Sequence, residues 1–445
     1  MLSINISTKH IFMSDITSFY SFTFLRNITP IVPFLTPYLI QNKKIANKDV
    51  HNKLIPWFFI SSLLLALSGS FLVRAVGNKM CILIDTVCDL ALNVIFLMMP
   101  NESIVFGALG CFLHGVSTSL ASISKCIVYE IEPEKQKRNY IISNYNLIKK
   151  LCSLGAAWFA QDMYFSCGTN KPSLYTTMMF LVGSLVSGMF IPENKGVQKV
   201  RDNIFVSFYN NGVFNTLGEI YYPKVLFFSL IQIIGSSLYI SFSIYSSNVF
   251  IERRKNIDVS SGMLGKIFYN ITMPFRLLSF VFVKVFSLFD KEITYSPKYE
   301  KNTLIFGYID GLAKAISLVI TYFLVAKNYS LFTLITINIS LVIFLIITKF
   351  FLGKVSSLTN SYICFVLGST AANTLLQIAH TGINKEKKIE ELVSFNLVIA
   401  SIIHISISYI ARWKEATAQK KMYYYVGTSM ILFALSLCSL AFVKF

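Results

Sequence analysis

Residues 29–39 read TPIVPFLTPYL and close an apolar run that spans 11–39. Three prolines, Pro30, Pro33 and Pro37, fall within these eleven residues. Proline lacks a backbone N–H and clashes with the carbonyl four residues earlier, so it interrupts a helix. The run is nevertheless long enough for a membrane helix, which needs about 20 apolar residues. The stretch therefore predicts a first membrane helix with an irregular end.

The composition of the whole chain is that of a membrane protein. Of its 445 residues, 54% are hydrophobic and only 14% are charged, and its mean hydropathy is +0.60. Soluble domains carry about 25% charged residues. The net charge of +18 does not indicate a partner nucleic acid, because Lys and Arg are spread through short polar segments between apolar runs. These cations are expected at the lipid headgroups of a bilayer.

Twelve apolar segments are long enough to span a bilayer, six before and six after a polar stretch. They are 11–39, 55–73, 80–99, 103–129, 140–161, 174–191, 221–250, 303–326, 329–348, 356–380, 390–411 and 423–443. This pattern is typical of secondary transporters built from two related bundles. The sequence therefore predicts an all-α polytopic membrane protein of twelve transmembrane helices. One six-helix bundle covers 1–191, a central cytoplasmic loop 192–220, and the second bundle 221–445.

The second half also contains a long insertion, 252–302. Within it, residues 264–289 are apolar but carry Lys266, Arg276 and Lys284. We expect an amphipathic helix at the membrane surface, with its basic residues facing lipid phosphates. A thirteenth span is the alternative. Both termini are expected in the cytoplasm and the insertion outside the cell, although Lys and Arg are too evenly distributed between the loops to fix the orientation.

The sequence lacks the patterns of an enzyme, a metal protein or a channel. The five His residues are scattered, and no Gly-rich phosphate loop is present. None of the eight Cys residues forms a C-x-x-C pair, so neither a disulfide framework nor a zinc site is indicated. A channel would show a repeated filter motif or a ring of charges. We therefore expect no catalysis, no cofactor and no metal, with a polytopic membrane enzyme as the remote alternative.

Several stretches resemble the reduced folate carrier and thiamine transporter family, solute carrier family 19. PFLTPYL at 33–39 is nearly the signature of that family's first helix. The segments at 221–250, 308–326 and 377–402 resemble its seventh helix, its eighth helix and the passage from its tenth to its eleventh helix. The resemblance implies the major facilitator fold. It also implies a plasma-membrane transporter that carries a water-soluble vitamin, folate or thiamine, by alternating access.

The resemblance also indicates which positions contact the substrate. In this chain those positions carry residues that differ from the charged residues of the family: Thr29, Val32, Ala121, Asn146, Lys314 and His404. Pro33 and Pro37 correspond to prolines at the outer end of helix one, where irregular backbone borders a cavity. Because the polar positions differ, the resemblance leaves the identity of the vitamin open.

Basic residues deep within the predicted helices are further candidates, because ionisable side chains in a membrane are costly and usually functional. Arg26, Lys149 and Lys150 lie about 15–22 Å deep at 1.5 Å per residue. We expect Arg26 and one of the two lysines to bind substrate, since adjacent residues point about 100° apart on a helix. Asp310 and Lys314 are four residues apart and can pair with each other.

The predicted third helix carries two acidic residues, Asp85 and Asp89, on one face. They lie near Arg74 and Lys79, so a gating contact with the neighbouring loop is expected rather than substrate binding.

Charge favours an anionic substrate. Folate has two carboxylates, which Lys and Arg suit, whereas thiamine is a cation and needs acidic or aromatic partners. The absence of acids at Val32 and Ala121 therefore favours folate or a reduced folate, with thiamine or its phosphate as the alternative. Transport would be coupled to a counter-anion or a proton, and His404 is a candidate proton-sensitive group.

Overall fold

The structure is a computed structural model that describes residues 4–123, 127–132, 135–192, 223–253, 259–290, 292–295, 305–325, 347, 358–383, 389–414 and 416–440. These residues form helices and turns, and no strand occurs among them. The long helices of the first half are α1 (Ile4–Asn27), α2 (Ile55–Val76), α3 (Asn78–Met98), α4 (Ile104–Ile123), α5 (Lys135–Cys167) and α6 (Lys171–Met189). Those of the second half are α7 (Pro223–Arg253), α8 (Val259–Ile271), α9 (Met273–Ser287), α10 (Phe306–Val325), α11 (Leu358–Ile383), α12 (Ile389–Trp413) and α13 (Ala418–Leu440).

The all-α prediction is confirmed, and eleven of the twelve predicted spans overlap one of these helices. The ninth, 329–348, lies outside the described residues apart from residue 347, and so does nearly all of the predicted loop 192–220. By length and hydropathy, five described segments could each cross a membrane. They are Asn47–Gly69, Asn78–Met98, Ile104–Ser122, Val225–Arg253 and Leu392–Trp413.

The helices of each half of the sequence pack on one another, and we call these two groups the first and the second bundle; the two groups meet along two seams. In the first bundle α1 packs on α5 and α6, and α4 packs on α2 and α3. In the second, α7 packs on α11, α12 and α13, and α10 packs on α11. Between the bundles, α5 lies against α10 and α2 lies against α12. This arrangement leaves space between the bundles for a central site.

Close helix approach depends on small residues, because lipid provides no hydrophobic force that would draw helices together. Gly115 of α4 illustrates this, since a Cβ built on it would lie 2.2 Å from the Phe58 carbonyl oxygen of α2. Only glycine therefore allows the two backbones to come this close.

The end of the first predicted helix, 11–39, differs from the expectation. Helix α1 stops at Asn27, and the chain continues as a 3₁₀ turn (Val32–Phe34), one α turn (Leu35–Pro37) and a π turn (Tyr38–Asn42). The residue before a proline is disfavoured in the α region, so the helix ends ahead of the first proline instead of bending at it. We call residues 28–54 the proline segment.

The proline segment closes one end of the molecule against the second bundle. The Phe34 ring meets the Phe306 ring of α10 edge-on, at 6.0 Å between centroids. The His51 ring stacks on Tyr245 of α7 at 5.3 Å. These contacts lie at the end where α5 finishes and α10 begins, which we call the insertion end.

The insertion also differs from the expectation. Residues 264–289 do not form one helix, because α8 and α9 meet at Thr272 with a bend of 78°. Nor does α9 span the bilayer alone, since its 15 residues reach only about 22 Å. Arg276, predicted to face lipid phosphates, lies over the Tyr269 ring with its Cζ 3.8 Å from the centroid. The cation is held by an aromatic face within the insertion.

Candidate functional site

A cavity of about 340 Å³ lies between the two bundles. Its walls come from α1, the proline segment, α2, α3, α4 and α5 on one side and from α7, α10, α11 and α12 on the other. It extends away from the insertion end as far as Ile82, close to the start of α3. The volume is within the range of small-molecule sites, about 300–1,000 Å³.

Three charged residues form a compact cluster on the wall of the first bundle. Arg26 of α1 donates hydrogen bonds to Asp85 of α3, from Nε to Oδ2 at 3.1 Å and from Nη2 to Oδ1 at 2.8 Å. Its Nη1 lies 2.8 Å from Oδ2 of Asp89. Ser117 of α4 donates to Asp85 Oδ1 at 2.6 Å, and His114 Nδ1 lies 3.6 Å from Asp89 Oδ1.

This cluster corrects two sequence-based predictions. Asp85 and Asp89 contact Arg26 at the cavity. Lys79 donates to the Met189 carbonyl oxygen at 2.8 Å and not to these carboxylates. Arg26 does line the cavity, as predicted, but two carboxylates already bind its guanidinium. We therefore assign it to holding α1 against α3. An arginine suits this because its planar fork binds a carboxylate through two parallel hydrogen bonds.

The wall formed by α5 and α10 carries three lysines. Lys314 and Asp310 form the predicted ion pair, with Nζ 2.5 Å from Oδ2. Lys150 donates from Nζ to Ser317 Oγ at 2.9 Å, which links α5 to α10. Lys149 makes no hydrogen bond or ion pair with any described residue, although it lines the same cavity. Both adjacent lysines therefore reach the cavity, and only Lys149 is left to bind a ligand.

Four more predicted positions line the cavity with uncharged side chains: Thr29, Val32, Ala121 and Asn146. Pro33 and Pro37 lie in the proline segment and are not among the lining residues. Asp310 is behind the wall and touches the site only through its lysine partner.

His404 lies in the core and not at the cavity, contrary to its predicted role. Its ring stacks on Phe59 of α2 at 4.5 Å with an interplanar angle of 5°. The ring is 1% exposed, and neither nitrogen bonds to a described residue. His404 thus packs α12 against α2.

Sequence reasoning missed several site residues. His114 was one of five scattered histidines, and only the structure places it beside Asp89. Uncharged polar residues of α7, including Gln232 and Tyr239, form much of the second wall. Gln232 Oε1 also accepts a hydrogen bond from Asn396 Nδ2 of α12 at 2.6 Å. Hydropathy patterns do not distinguish these side chains from ordinary packing residues.

Cations slightly outnumber carboxylates around the cavity. Within the described part of the chain, Arg26, Lys149, Lys150 and Lys314 are four cations, and Asp85, Asp89 and Asp310 are three carboxylates. The one cation without a carboxylate or hydroxyl partner there is Lys149. The described residues contain no group of three or more His, Cys, Asp or Glu side chains that could hold a metal ion.

Comparison with known proteins identifies the fold. No protein-family model and no curated protein matches the sequence. Among solved structures, the chain is similar to the crystal structure of a variant of the E. coli fucose:proton symporter FucP, with a TM-score of 0.55 and 9% sequence identity. The match covers 96% of this chain and 99% of the symporter chain. At this identity the likeness concerns the fold alone, and the chain has the major facilitator fold of a multi-pass membrane protein.

Proposed function

We propose that this protein is a secondary transporter that carries a small organic anion across the plasma membrane by alternating access. The observation that supports this most directly is Lys149, a cation in a central cavity that makes no hydrogen bond or ion pair with a described residue. A charge inside a membrane is costly unless it has a partner. A bound anionic solute supplies that partner, so binding offsets the free-energy penalty of the unpaired charge.

The substrate that we propose is folate or a reduced folate. The sequence resembles the folate and thiamine carrier family, and the excess of cations around the cavity favours the anionic vitamin of the two. Asp85 and Asp89, which would attract the thiamine cation, share Arg26, which offsets one of their two negative charges. Aromatic side chains that line the cavity, among them Phe58 and Tyr239, suit a flat pterin ring. Thiamine or thiamine phosphate is the alternative, because the same aromatic faces also attract a cationic ring.

We also propose that transport of the solute is coupled to movement of a proton. The Arg26 cluster holds two carboxylates and one cation, so it contains one negative charge that Arg26 does not balance. A proton on Asp85 or Asp89 would balance it, with His114 and Ser117 as the neighbouring polar groups. Exchange for a counter-anion is the competing mechanism. Uptake driven by an imposed pH gradient, with no anion on the far side, separates the two.

The direct test is uptake of labelled folate and labelled thiamine by proteoliposomes that contain the purified chain. Lys149→Gln should lower the apparent affinity for folate by about 10- to 150-fold, the range for one hydrogen bond to a charged group. Lys53→Gln is the matched control, because Lys53 is half exposed and pairs with Asp49 in the proline segment.

Two results would contradict the assignment. Unchanged folate uptake in Lys149→Gln would show that Lys149 does not bind the anion, and a rise in thiamine uptake would make thiamine the better substrate. Uptake of neither compound by the parent chain would exclude both vitamins while leaving the fold unaffected.

A further inference from the structure

The insertion reaches a fully buried carboxylate at the seam between the two bundles. Asp162 lies in α5, in the first bundle, and its side chain is 0% exposed. Its Oδ1 accepts a hydrogen bond from the Tyr308 hydroxyl of α10 at 2.5 Å and lies 3.1 Å from the Thr272 hydroxyl. The one hydrogen of that hydroxyl is shared between Asp162 and the Phe268 carbonyl oxygen, also at 3.1 Å. The two hydroxyl oxygens are themselves 2.9 Å apart. Three segments of the chain therefore converge on one carboxylate.

The seam around this triad is tight. The Gly307 N–H donates to Gln161 Oε1 at 2.9 Å. The Trp158 indole N–H donates to the Tyr308 carbonyl oxygen at 3.4 Å. Gly307 and Gly311 are four residues apart on one face of α10, a spacing that permits close helix contact in membranes. At the insertion end α5 and α10 are thus joined by backbone contact as well as by polar bonds.

The insertion straddles this seam. On one side α9 packs along α5 and α6, where Ser279 donates to the Phe159 carbonyl oxygen at 3.4 Å and Phe282 meets Phe159 edge-on. On the other side α8 contacts the second bundle, where Phe268 stacks on Tyr308 at 5.6 Å. Thr272, at the bend between α8 and α9, is also 0% exposed. The bend therefore lies between the bundles and not on the outer surface.

Opening the insertion end would break this arrangement. In alternating access the two bundles move against each other, so α5 and α10 must separate at that end for solute to reach the cavity from there. Separation would expose Asp162 and part it from the Tyr308 and Thr272 hydroxyls. Its second oxygen, Oδ2, already has no hydrogen-bond partner among the described residues. Among the described residues, the hydrogen-bond donors to the Asp162 carboxylate are thus Tyr308, across the seam, and Thr272, in the insertion.

We propose that the insertion is a clasp: through Thr272 it holds Asp162 of α5 and Tyr308 of α10 together and stabilises the state in which the insertion end is closed. Asp162, Tyr308 and Thr272 are then positioning residues that set the balance between two conformations of the transporter. This inference relies on alternating access but not on the identity of the solute. Arg276, which lies over the Tyr269 ring, interacts electrostatically with Asp162.

The test measures how often the insertion end opens. Ser153→Cys places a reporter thiol on α5 in the cavity wall. A membrane-impermeant maleimide is applied to the face that carries the insertion, and the labelling rate is compared with that of the chain without the reporter. Thr272→Val keeps the shape of the side chain but removes the hydroxyl. It should raise the rate about 2- to 12-fold, the range for one hydrogen bond of 0.5–1.5 kcal/mol.

Two further variants make the test decisive. Thr272→Ser keeps the hydroxyl and should label at the parent rate. Ser287→Ala removes a hydroxyl from the same insertion that donates within α9, to the Lys284 carbonyl oxygen, and should also leave the rate unchanged. If Thr272→Val yields too little protein, Tyr308→Phe removes a hydroxyl from the other side of the seam and should raise the rate similarly. Equal rates for Thr272→Val, Tyr308→Phe and the parent would overturn the clasp. Because labelling needs no substrate, that outcome is distinct from a failure of the proposed function.

Discussion

The Arg26 guanidinium of α1 binds the Asp85 carboxylate of α3 through two hydrogen bonds, of 3.1 Å and 2.8 Å, although the two residues are 59 positions apart in sequence. The side chains are only 13% and 4% exposed. The same arginine also binds Asp89. A buried cation with two carboxylates stabilises the native state mainly because removal of either partner leaves an uncompensated charge. The pairing therefore decides whether Arg26 is a substrate ligand or part of the scaffold.

Arg26→Ala should destabilise the protein by about 3–5 kcal/mol, because it leaves two carboxylates buried without their cation. Arg26→Lys should recover only part of this, since an ammonium cannot form the two parallel hydrogen bonds. The measurement is thermal unfolding in detergent, together with the folded fraction on size-exclusion chromatography.

A double variant provides the control for that prediction. Arg26→Ala combined with Asp89→Asn removes one of the two unbalanced charges and should be more stable than Arg26→Ala alone. If Arg26→Ala instead unfolds at the parent temperature and loses only transport, then Arg26 binds substrate, as the sequence indicated, and the scaffold role is wrong.

The fold was largely predictable from the sequence, because a membrane helix needs a long apolar segment and such segments are visible in one dimension. The site was predictable in part, for a different reason. Burial depth along a helix identified Lys149 and Lys150, and the spacing of four residues identified the Asp310–Lys314 pair. Both features are local to a single helix.

Contacts between helices could not be predicted in the same way. Hydropathy does not tell which helices are neighbours, so Asp85 and Asp89 were assigned to a nearby loop. Asp162 was missed because the predicted fifth helix stopped at residue 161, whereas α5 continues to Cys167. An aspartate just beyond the predicted end of a helix is expected in a solvent-exposed loop, whereas Asp162 is buried in the structure.

The prolines of the proline segment give a second prediction. Pro33 is the second residue of the 3₁₀ turn, and Pro37 ends the α turn before the π turn. Replacing either with alanine restores a backbone N–H and lets regular helix extend through the segment. The segment would then be displaced from α7 and α10, which it contacts at the insertion end. Pro33→Ala and Pro37→Ala should therefore lower the uptake rate more than they lower the amount of protein at the cell surface.

The control is Pro100→Ala, since Pro100 lies exposed in the loop between α3 and α4. It should change neither quantity. Parallel loss of uptake and surface protein in the two test variants would show that these prolines serve folding alone.

A third prediction concerns the pH dependence of the contact between Asp290, after α9 of the insertion, and Lys171 of α6. Burial raises the pKa of Asp290, but the Glu292 N–H and the Lys171 ammonium lower it by more. The net pKa of this carboxyl is therefore below its usual range. Tyr175 also donates to its Oδ2 at 3.2 Å. A carboxyl whose pKa is depressed on folding stabilises the folded state above its unfolded pKa, about 3.9. That stability is lost as the pH falls through the lower folded value.

The attachment of the insertion to α6 should thus persist at neutral pH and weaken below about pH 4, near the unfolded pKa. Hydrogen exchange of the amides in 288–295, measured from pH 7 down to pH 3, would show the loss of protection. Asp290→Asn should remove the pH dependence in that range. A protection profile that is the same in the parent and in Asp290→Asn would show that the ion pair with Lys171 does not hold the insertion.

The final prediction uses two glycines of the same seam region to separate close packing from helix propensity. A Cβ on Gly307 of α10 would lie 2.2 Å from the Ala157 carbonyl oxygen of α5, a distance that no rotamer can relieve because the obstacle is backbone. A Cβ on Gly155 of α5 would meet nothing nearer than the Phe275 ring at 3.9 Å. Gly307→Ala must therefore push α5 and α10 apart, at a cost of about 1–3 kcal/mol or more. Gly155→Ala should be neutral or stabilising by up to about 1 kcal/mol, because alanine has a higher helix propensity than glycine.

Thermal unfolding of both variants, together with maleimide labelling at Ser153→Cys, should show a lower melting temperature and faster labelling for Gly307→Ala only. If both glycine variants behave like the parent, α5 and α10 are not in backbone contact, and the tight seam on which the clasp depends is absent.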